Sequence, residues 1–392
     1  MKKVCFIVDS IFSFGGVQRV TAVIAKELAK DYHITIATFD KPEDQDTRIY
    51  ELDEADITYH FLSYPPADHL RKYIRKAYSA CYRKLKPQSK WSSDLYAYSS
   101  FPAIRQQILI EEIREHSYDI VIGVHAPIAA RLATIRHHFP QVRFIGWIHN
   151  SFEALFGENS TYIGPELQRH YVYQFRKLDH TIVLCHHDAE MYEHYDPFFQ
   201  PTVIYNPLTL EPGTPSEGKS KRFLAIGRFS HRHKGFDLLI EAFHRFAQQN
   251  RDWALDIVGE GEEQELYERM INQYQLKDRI IIHPFTHQIQ SYYSQAQIYV
   301  LSSRWEGFGL VLVEAMAHGL PVISSDLPTS REIMGNTGIF FRNGDVGELA
   351  QRLEEATHID WGKKSKEALE TAIRFDISHI VLSWKNLIEQ TP

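Results

Sequence analysis

Short apolar runs rich in β-branched residues alternate along the chain with longer stretches of helical periodicity. The runs are VCFIVD, HITIATF, DIVIGVH, RFIGWIH and HTIVLC in the first half, then FLAIGRF, ALDIVG, RIIIHPF, QIYVLSS, PVISS and GIFF. Continuous apolar runs of this length are typical of parallel strands buried on both faces, and the helices between them complete βαβ units. The pattern therefore predicts an α/β protein.

A segment without periodicity, residues 205–222, separates the two sets of predicted strands. It contains proline, glycine and serine, so we expect it to link two Rossmann-like, doubly wound domains, at residues 1–204 and 223–374. Such sheets bind ligands at the carboxyl ends of their strands. A ligand shared by both domains is therefore expected in a deep cleft between them.

One predicted helix, at residues 70–86, is strongly basic. Apolar positions recur at i, i+3, i+4 and i+7, and seven basic residues lie between them: Arg71, Lys72, Arg75, Lys76, Arg83, Lys84 and Lys86. The pattern indicates an interfacial helix on an anionic membrane, or one that binds a phosphorylated acceptor. A helix packed on the core with a solvated basic face is the alternative.

The composition narrows the class of protein. The 392 residues have a formal net charge of −7, which argues against nucleic-acid binding. Three cysteines, Cys5, Cys81 and Cys185, give no disulfide framework and suit a reducing compartment. Asp9 ends the first apolar run too early for a signal peptide, and no run is long enough to span a membrane. We expect a cytoplasmic protein, peripheral on the inner face of the cell membrane through its basic helix.

Two predicted strand-to-helix loops contain residues suited to anions. In FSFGGVQRV, Gly15 and Gly16 allow close approach to a ligand, although a plain βα turn explains a lone Gly-Gly equally well. In GRFSHRHKGFD, Arg228 and Lys234 precede a helix and form a candidate diphosphate cradle. Arg232 competes for this role, and ordinary surface charge is the simpler alternative.

Histidines offer one further candidate. His149 ends the strand RFIGWIHN, where an α/β fold places ligand contacts, although most of the 21 histidines must be structural. The adjacent residues 185–188, Cys-His-His-Asp, have metal-binding side chains. Four neighbours cannot readily direct four ligands at one ion, so we expect no metal there.

Two glutamates, Glu306 and Glu314, lie eight residues apart in RWEGFGLVLVEAMAHGLPVISSD. A continuous helix would separate them by about 12 Å, more than the roughly 5–9.5 Å between paired glycosidase carboxylates. A loop could shorten the gap, but the spacing favours two contacts on one elongated ligand. The amides of residues 307–309, Gly307, Phe308 and Gly309, then face a phosphate at the helix start.

Together these motifs resemble the signature of retaining GT-B glycosyltransferases with a double-glutamate (E-x7-E) motif, a family that includes bacterial mannosyl- and N-acetylhexosaminyltransferases. The resemblance covers essentially the whole chain. It implies a metal-independent hexosyltransferase without a cofactor. The donor would be a nucleoside diphosphate sugar, with UDP favoured, and the product a hexose or N-acetylhexosamine on a glycan, lipid-linked or cell-surface polymer acceptor.

The resemblance also implies a role for each matching residue. Glu306 contacts the donor sugar, Glu314 binds the ribose diol, and His149 bonds the donor sugar. Arg228 and Lys234 hold the diphosphate and stabilise it as it leaves. The remaining binding positions are Gly15 and Gly16 at the phosphate or acceptor, Gly307, Phe308 and Gly309 at the phosphate, and Gly259 and Phe285 near the base.

The resemblance further implies that a C-terminal helix, at about 375–392, packs back on the first domain. The residues alone leave other functions open: a sugar-nucleotide hydrolase or epimerase on the same scaffold, or a two-lobed solute-binding protein. They do not determine the donor sugar, the acceptor, the linkage or the oligomeric state.

Overall fold

The computed structural model describes residues 1–64, 69–85, 87, 89–158, 160, 162–211, 213–230, 232–286 and 288–390. The chain divides into two compact units, one of Met1–Asn206 with Ile377–Pro392 and one of Pro207–Asp376. Each unit contains one parallel sheet connected through helices. The predicted α/β class and the two Rossmann-like domains are therefore confirmed.

The first unit has a seven-stranded parallel sheet in the order β3-β2-β1-β4-β5-β6-β7, a doubly wound arrangement. Its strands are β1 (Lys3–Val8), β2 (His33–Thr38), β3 (Ile57–Phe61), β4 (Ile120–Val124), β5 (Arg143–Trp147), β6 (His180–Val183) and β7 (Thr202–Val203). The prediction missed β3 and β7, the two edge strands. Only one residue of β3 is buried and β7 has two residues, so neither gives a continuous apolar run.

Helices connect these strands. They are α1 (Gly16–Ala29), α2 (His69–Leu85), α3 (Lys90–Ser100), α4 (Ala103–His116), α5 (Ala126–Ile135), α6 (Phe152–Phe156), α7 (Gln168–Phe175) and α8 (His186–Tyr195). A core of fully buried side chains, including Val121, Ala129, Phe144 and Phe175, joins the sheet to α5 and α7.

The second unit has a six-stranded parallel sheet in the order β10-β9-β8-β11-β12-β13. All six strands were predicted: β8 (Arg222–Ile226), β9 (Ala254–Val258), β10 (Ile280–His283), β11 (Ile298–Leu301), β12 (Val322–Ser325) and β13 (Ile339–Phe341). The helices are α9 (Phe236–Ala247), α10 (Gln264–Gln273), α11 (Gln290–Gln295), α12 (Leu310–Ala317), α13 (Pro328–Met334), α14 (Val346–Ala356) and α15 (Trp361–Ala372).

The C-terminal helix α16 (Ile377–Glu389) packs within the first unit. Its Trp384 is fully buried, with its ring 4.7 Å from that of Trp147 and 6.4 Å from that of Phe6. Arg143 donates to the carbonyls of Leu387 and Gln390 at 3.1 and 2.7 Å. A cation at this position satisfies carbonyls that a helix end leaves unpaired, and so fixes the helix on the sheet.

Helix α2 covers the predicted basic stretch. Tyr82 is buried against Tyr96 of α3, at 4.4 Å between ring centroids, while Tyr73 and Leu85 are 70% and 76% exposed. The side chains of residues 70–72, 74 and 75, and residue 86, lie outside the described part. No helix in the described part of the chain combines the length and apolar character that a membrane span requires.

Candidate functional site

The two loops that follow β8 and β11 lie side by side, because these strands are neighbours in the second sheet. Arg304 from the second loop donates to both carboxylate oxygens of Asp237, at 2.9 and 2.8 Å. The ring of His233 stacks on Trp305 at 4.8 Å with an interplanar angle of 11°. These contacts tie the loops together, which gives the side chains they carry defined positions.

Close packing of the same loops requires a glycine at the start of α9. Gly235 has a φ of 64°, and a Cβ there would lie 2.0 Å from the carbonyl oxygen of Ser302. No residue with a side chain fits without moving that backbone. Gly235 therefore sets the direction in which the preceding Lys234 leaves the loop.

Glu306 and Lys234 form a buried ion pair across the two loops. The Lys234 Nζ lies 2.5 Å from Glu306 Oε1, and the Ser303 hydroxyl donates to the same oxygen at 2.6 Å. Glu306 and the lysine side chain are only 7% and 15% exposed. Burial alone would raise the pKa of Glu306, but the charges of Lys234 and His233 and the two hydrogen bonds outweigh it and lower that pKa. Glu306 is therefore ionised at neutral pH.

Glu314 is held separately from Glu306, on α12. It is 2% exposed and accepts a hydrogen bond from the Tyr293 hydroxyl at 2.8 Å. His318 stacks on Tyr293 at 4.9 Å, and its Nδ1 lies 2.7 Å from the Glu314 carbonyl oxygen. The Gly213 amide donates to Nε2 of His318, so we assign the ring proton to Nδ1. Glu314 is thus a buried, oriented carboxylate and not an ordinary helix-surface charge.

The predicted amide segment precedes the same helix. Gly309 is the N-cap of α12 with a φ of 82°, a conformation that favours glycine. Phe308 is buried and lies 5.7 Å from Phe375 between ring centroids. Gly307 directly follows Glu306, so the loop places the carboxylate next to the backbone amides that begin the helix.

The other predicted residues of this unit follow adjacent strands. Arg228 is exposed two residues beyond β8, Gly259 directly follows β9, and Phe285 is 46% exposed two residues beyond β10. A Cβ on Gly259 would lie 2.0 Å from the carbonyl oxygen of Gly227, so the two loops pack backbone against backbone. The three residues therefore share the carboxyl edge of the sheet.

In the first unit, Gly15 ends the loop between β1 and α1 as the N-cap of the helix, and Gly16 is the first residue of α1. The Gly15 amide donates to the hydroxyl of Tyr50 at 2.8 Å. Tyr50 and Glu51 both have left-handed backbone conformations, with φ of 59° and 56°, and the side chain of Lys26 contacts both residues. The structure thus uses the Gly15 amide to anchor the loop on Tyr50, a residue that no local pattern distinguished.

His149 lies two residues beyond β5 in the first unit. It is 6% exposed, and its ring lies 4.2 Å from Trp147 and 5.6 Å from His125. Its Nε2 has no hydrogen-bond partner among the described residues. Burial, and secondarily the charge of His125, lowers the pKa of His149 well below its ordinary value. The imidazole is therefore neutral and able to bond a hydroxyl group.

This environment predicts that His149 stays neutral when the pH is lowered through 6.5, the ordinary histidine pKa. A depressed histidine pKa stabilises the fold above the ordinary value of 6.5, and this contribution is lost as the pH falls through the lower, folded value. Carbon-13 chemical shifts of the labelled ring measure the titration directly. A His149 ring that titrates near 6.5 would contradict the assignment.

One group of described side chains has the geometry to hold a metal ion. His60, Glu112 and His116 each place a ligand atom within 4.8 Å of the others. Glu112 Oε1 already lies 2.6 Å from His60 Nδ1 and accepts the Tyr118 hydroxyl at 2.6 Å. The group is therefore also satisfied as a hydrogen-bonded cluster.

The Cys-His-His-Asp segment has a structural role. The Sγ of Cys185 accepts the Asp188 amide at 3.4 Å and caps α8. The Asp188 carboxylate accepts the Phe152 amide at 2.8 Å, and His187 bonds Glu153 at 2.8 Å. These side chains diverge to different partners, so the segment joins α8 to α6.

Two family models match the sequence. The model of Glycosyltransferase Family 4 matches residues 14–211, and that of Glycosyl transferases group 1 matches residues 209–374. The chain belongs to the family of glycosyltransferases that these two models describe together. The predicted enzyme class is thereby confirmed, whereas retention of configuration and independence from metal stay predictions.

This glycosyltransferase is similar to one relative and one solved structure along nearly its whole length, and to a second relative over part of it. An uncharacterized glycosyltransferase of Haemophilus influenzae is 25% identical over 99% of this chain and 100% of its own. The lipopolysaccharide core biosynthesis mannosyltransferase LpsB of Rhizobium meliloti is 30% identical over 39% of this chain and 42% of its own. Anabaena HepE in complex with UDP-glucose aligns with a TM-score of 0.74 at 18% identity, covering 99% of both chains. The fold of this glycosyltransferase is GT-B, as predicted.

Proposed function

We propose that this glycosyltransferase transfers a hexose or N-acetylhexosamine from a UDP-sugar to a glycan or lipid-linked acceptor, with retention of configuration. The observation that carries the proposal is the buried Lys234–Glu306 pair at the start of two helices. Support for the donor comes from the similar fold of HepE, which binds UDP-glucose. Support for the acceptor comes from the relative in lipopolysaccharide core biosynthesis.

The pair suits a donor with a sugar and a diphosphate. Lys234 and Ser303 both contact Oε1 of Glu306, so Oε2 is directed to accept from sugar hydroxyls. The Lys234 ammonium offers a fixed positive charge to the diphosphate, and exposed Arg228 adds a guanidinium fork. Glu314, oriented by Tyr293, would accept from the ribose diol.

In this proposal neither glutamate is a covalent nucleophile. The diphosphate departs from the same face that the acceptor approaches and takes the acceptor proton, so the configuration at the anomeric carbon is retained. Lys234, Arg228 and the amides before α12 stabilise the charge that develops on the leaving group. Positive charge supplied by the protein takes the place of a divalent metal ion.

A thermal-shift panel of UDP, GDP and ADP tests the donor assignment. A ligand that binds only the folded state raises the melting temperature by mass action. We expect UDP to give the largest shift, and Glu314→Gln to reduce it because the ribose loses a charged acceptor. Equal shifts for the three nucleotides, or an unchanged UDP shift in the variant, would contradict the proposal.

The acceptor side of the proposal includes contact with an anionic membrane through α2. Lys76 and Lys84 are exposed on this helix together with Tyr73 and Leu85, and Trp91 of α3 is 74% exposed. Basic groups beside exposed aromatic and aliphatic side chains suit the headgroup region of a bilayer. A lipid-linked acceptor would then be met at the membrane surface.

Replacing both Lys76 and Lys84 by glutamine is expected to weaken binding to phosphatidylglycerol vesicles by about 2 kcal/mol, because each juxtamembrane lysine contributes about 1 kcal/mol. Vesicle sedimentation measures this loss, and vesicles of phosphatidylcholine alone give the baseline. The matched control replaces Lys219 and Lys366, which are 81% and 78% exposed in the second unit. Unchanged sedimentation of the α2 variant would rule out this membrane contact.

A further inference from the structure

A cavity of about 220 Å³ lies in the first unit, between α3, α5 and α7. A space of this size holds several water molecules and accommodates a single sugar-sized group. The described part of its lining contains none of the residues assigned above to the donor. Two arginines and four aromatic side chains of this lining are the candidates for contact with a ligand: Arg83, Arg131, Tyr96, Phe101, Tyr162 and Tyr171.

Two basic side chains line the cavity. Its described lining includes two arginines and no carboxylate. Each arginine has one carboxylate at a long ion-pair distance, which offsets part of its charge: Glu166 lies 3.6 Å from Arg83, and Asp9 lies 3.5 Å from Arg131. Each guanidinium has five N–H donors, so one long contact leaves others for a second anion. Guanidinium groups with donors to spare are well suited to a planar or tetrahedral anion.

His170 also lines the cavity but contributes no charge. Burial, and secondarily Lys177, lowers the pKa of His170 to about 4. Its Nδ1 lies 2.7 Å from the hydroxyl of Ser93, so the neutral ring is held in one orientation. Among the described lining residues, the positive charges are therefore those of Arg83 and Arg131.

Aromatic rings form much of the remaining wall. Tyr96 packs edge-on against His170 at 4.7 Å, and the Arg131 guanidinium lies 5.7 Å from the ring of Phe101. A tyrosine ring combines a flat apolar surface with a hydroxyl group at its edge. A sugar has the same combination of apolar ring faces and polar edges, so this wall suits a sugar ring beside the arginines.

Arg131 connects the cavity to the carboxyl edge of the first sheet. Its partner Asp9 directly follows β1, and the charge of Asp9 acts on His125. The ring of His125 is in turn 5.6 Å from that of His149. The cavity thus borders the part of this unit where a doubly wound fold binds its ligands.

We propose that this cavity binds a phosphorylated sugar unit of the acceptor. Arg83 and Arg131 hold the phosphoryl group, and Tyr96, Tyr162 and Tyr171 face the sugar ring. The place of this unit in the reaction rests on the proposed function, but its binding to the first unit does not.

Calorimetry of the full chain with α-D-glucose 1-phosphate tests the inference, with UDP present at saturation to occupy the donor nucleotide site. We expect Arg83→Gln and Arg131→Gln each to weaken binding about tenfold or more, because each removes charge-assisted hydrogen bonds. Arg48→Gln is the matched control, since Arg48 is 82% exposed and outside the cavity. Arg83, half exposed, tests the site without disturbing the packing around Arg131.

Unchanged affinity for glucose 1-phosphate in both cavity variants would overturn the proposal. Loss of binding in Lys234→Ala would also overturn it, because the ligand would then lie at the donor site. Inorganic phosphate should bind more weakly than the sugar phosphate; equal affinity would overturn the role given to the aromatic wall. The UDP shift in melting temperature, measured on the same variants, reports the proposed donor function independently. Its absence in the unmodified protein would reject that function and leave the cavity result standing.

Discussion

Replacing Lys234 by alanine is expected to lower kcat by about 10²–10³-fold, the usual effect of removing one group that stabilises developing negative charge. The same change removes the partner of the buried Glu306 carboxylate. Breaking a buried ion pair from one side costs about 3–5 kcal/mol, so the variant should also melt at a lower temperature. Steady-state kinetics and thermal unfolding of one preparation measure both effects.

The effects of Lys234→Ala on kcat and on stability are separable. Adding Glu306→Gln to Lys234→Ala removes the unpaired charge, so stability should return in part while activity stays low. Lys219→Ala is the matched control, because Lys219 is an 81% exposed lysine of the same unit that has no proposed role at the site. Full activity of Lys234→Ala at a temperature where it is folded would show that the lysine has no part in catalysis.

Replacing Arg228 by alanine is expected to reduce kcat by about 10²-fold, again by loss of charge stabilisation at the leaving diphosphate. Arg228 is exposed, in contrast to Lys234, so the free energy of unfolding should change by no more than about 0.5 kcal/mol. Arg228→Lys keeps the charge but loses the planar fork, so its kcat should lie between those of Arg228→Ala and the unmodified protein.

The kinetic measurement on Arg228→Ala is made with and without EDTA. Activity of the unmodified protein should be insensitive to the chelator, because the protein's own cations stabilise the leaving group. A strict requirement for Mg²⁺, together with normal turnover of Arg228→Ala, would mean that a metal ion and not the arginine holds the diphosphate.

Most of the sheet architecture could be predicted from sequence because buried parallel strands leave a continuous apolar run. β8 and β11 are of this kind, with three buried residues of five and four of four. The edge strands β3 and β7 escape the same criterion, since an edge strand buries few side chains. Apolar runs therefore predict the central strands of a sheet but not its edge strands.

The site was predictable where a local motif marks it and not where distant residues meet. Glu306 and Glu314 belong to one segment, but their partners Lys234 and Tyr293 are 72 and 21 residues away. Tyr50, which anchors Gly15, is 35 residues from it. Hydrogen bonds over such separations follow from the tertiary fold and leave no periodic signal in the chain.

The most direct test is transfer of a label from donor to acceptor. The protein is incubated with UDP-α-[1-¹³C]glucose and a glycan fraction of cell envelopes, and the anomeric carbon of the products is followed by NMR. We predict that label enters a glycan or lipid-linked glycan as an α-glycoside, and that Lys234→Ala abolishes this transfer. Release of the label only as free sugar, or its transfer as a β-glycoside, would contradict the account.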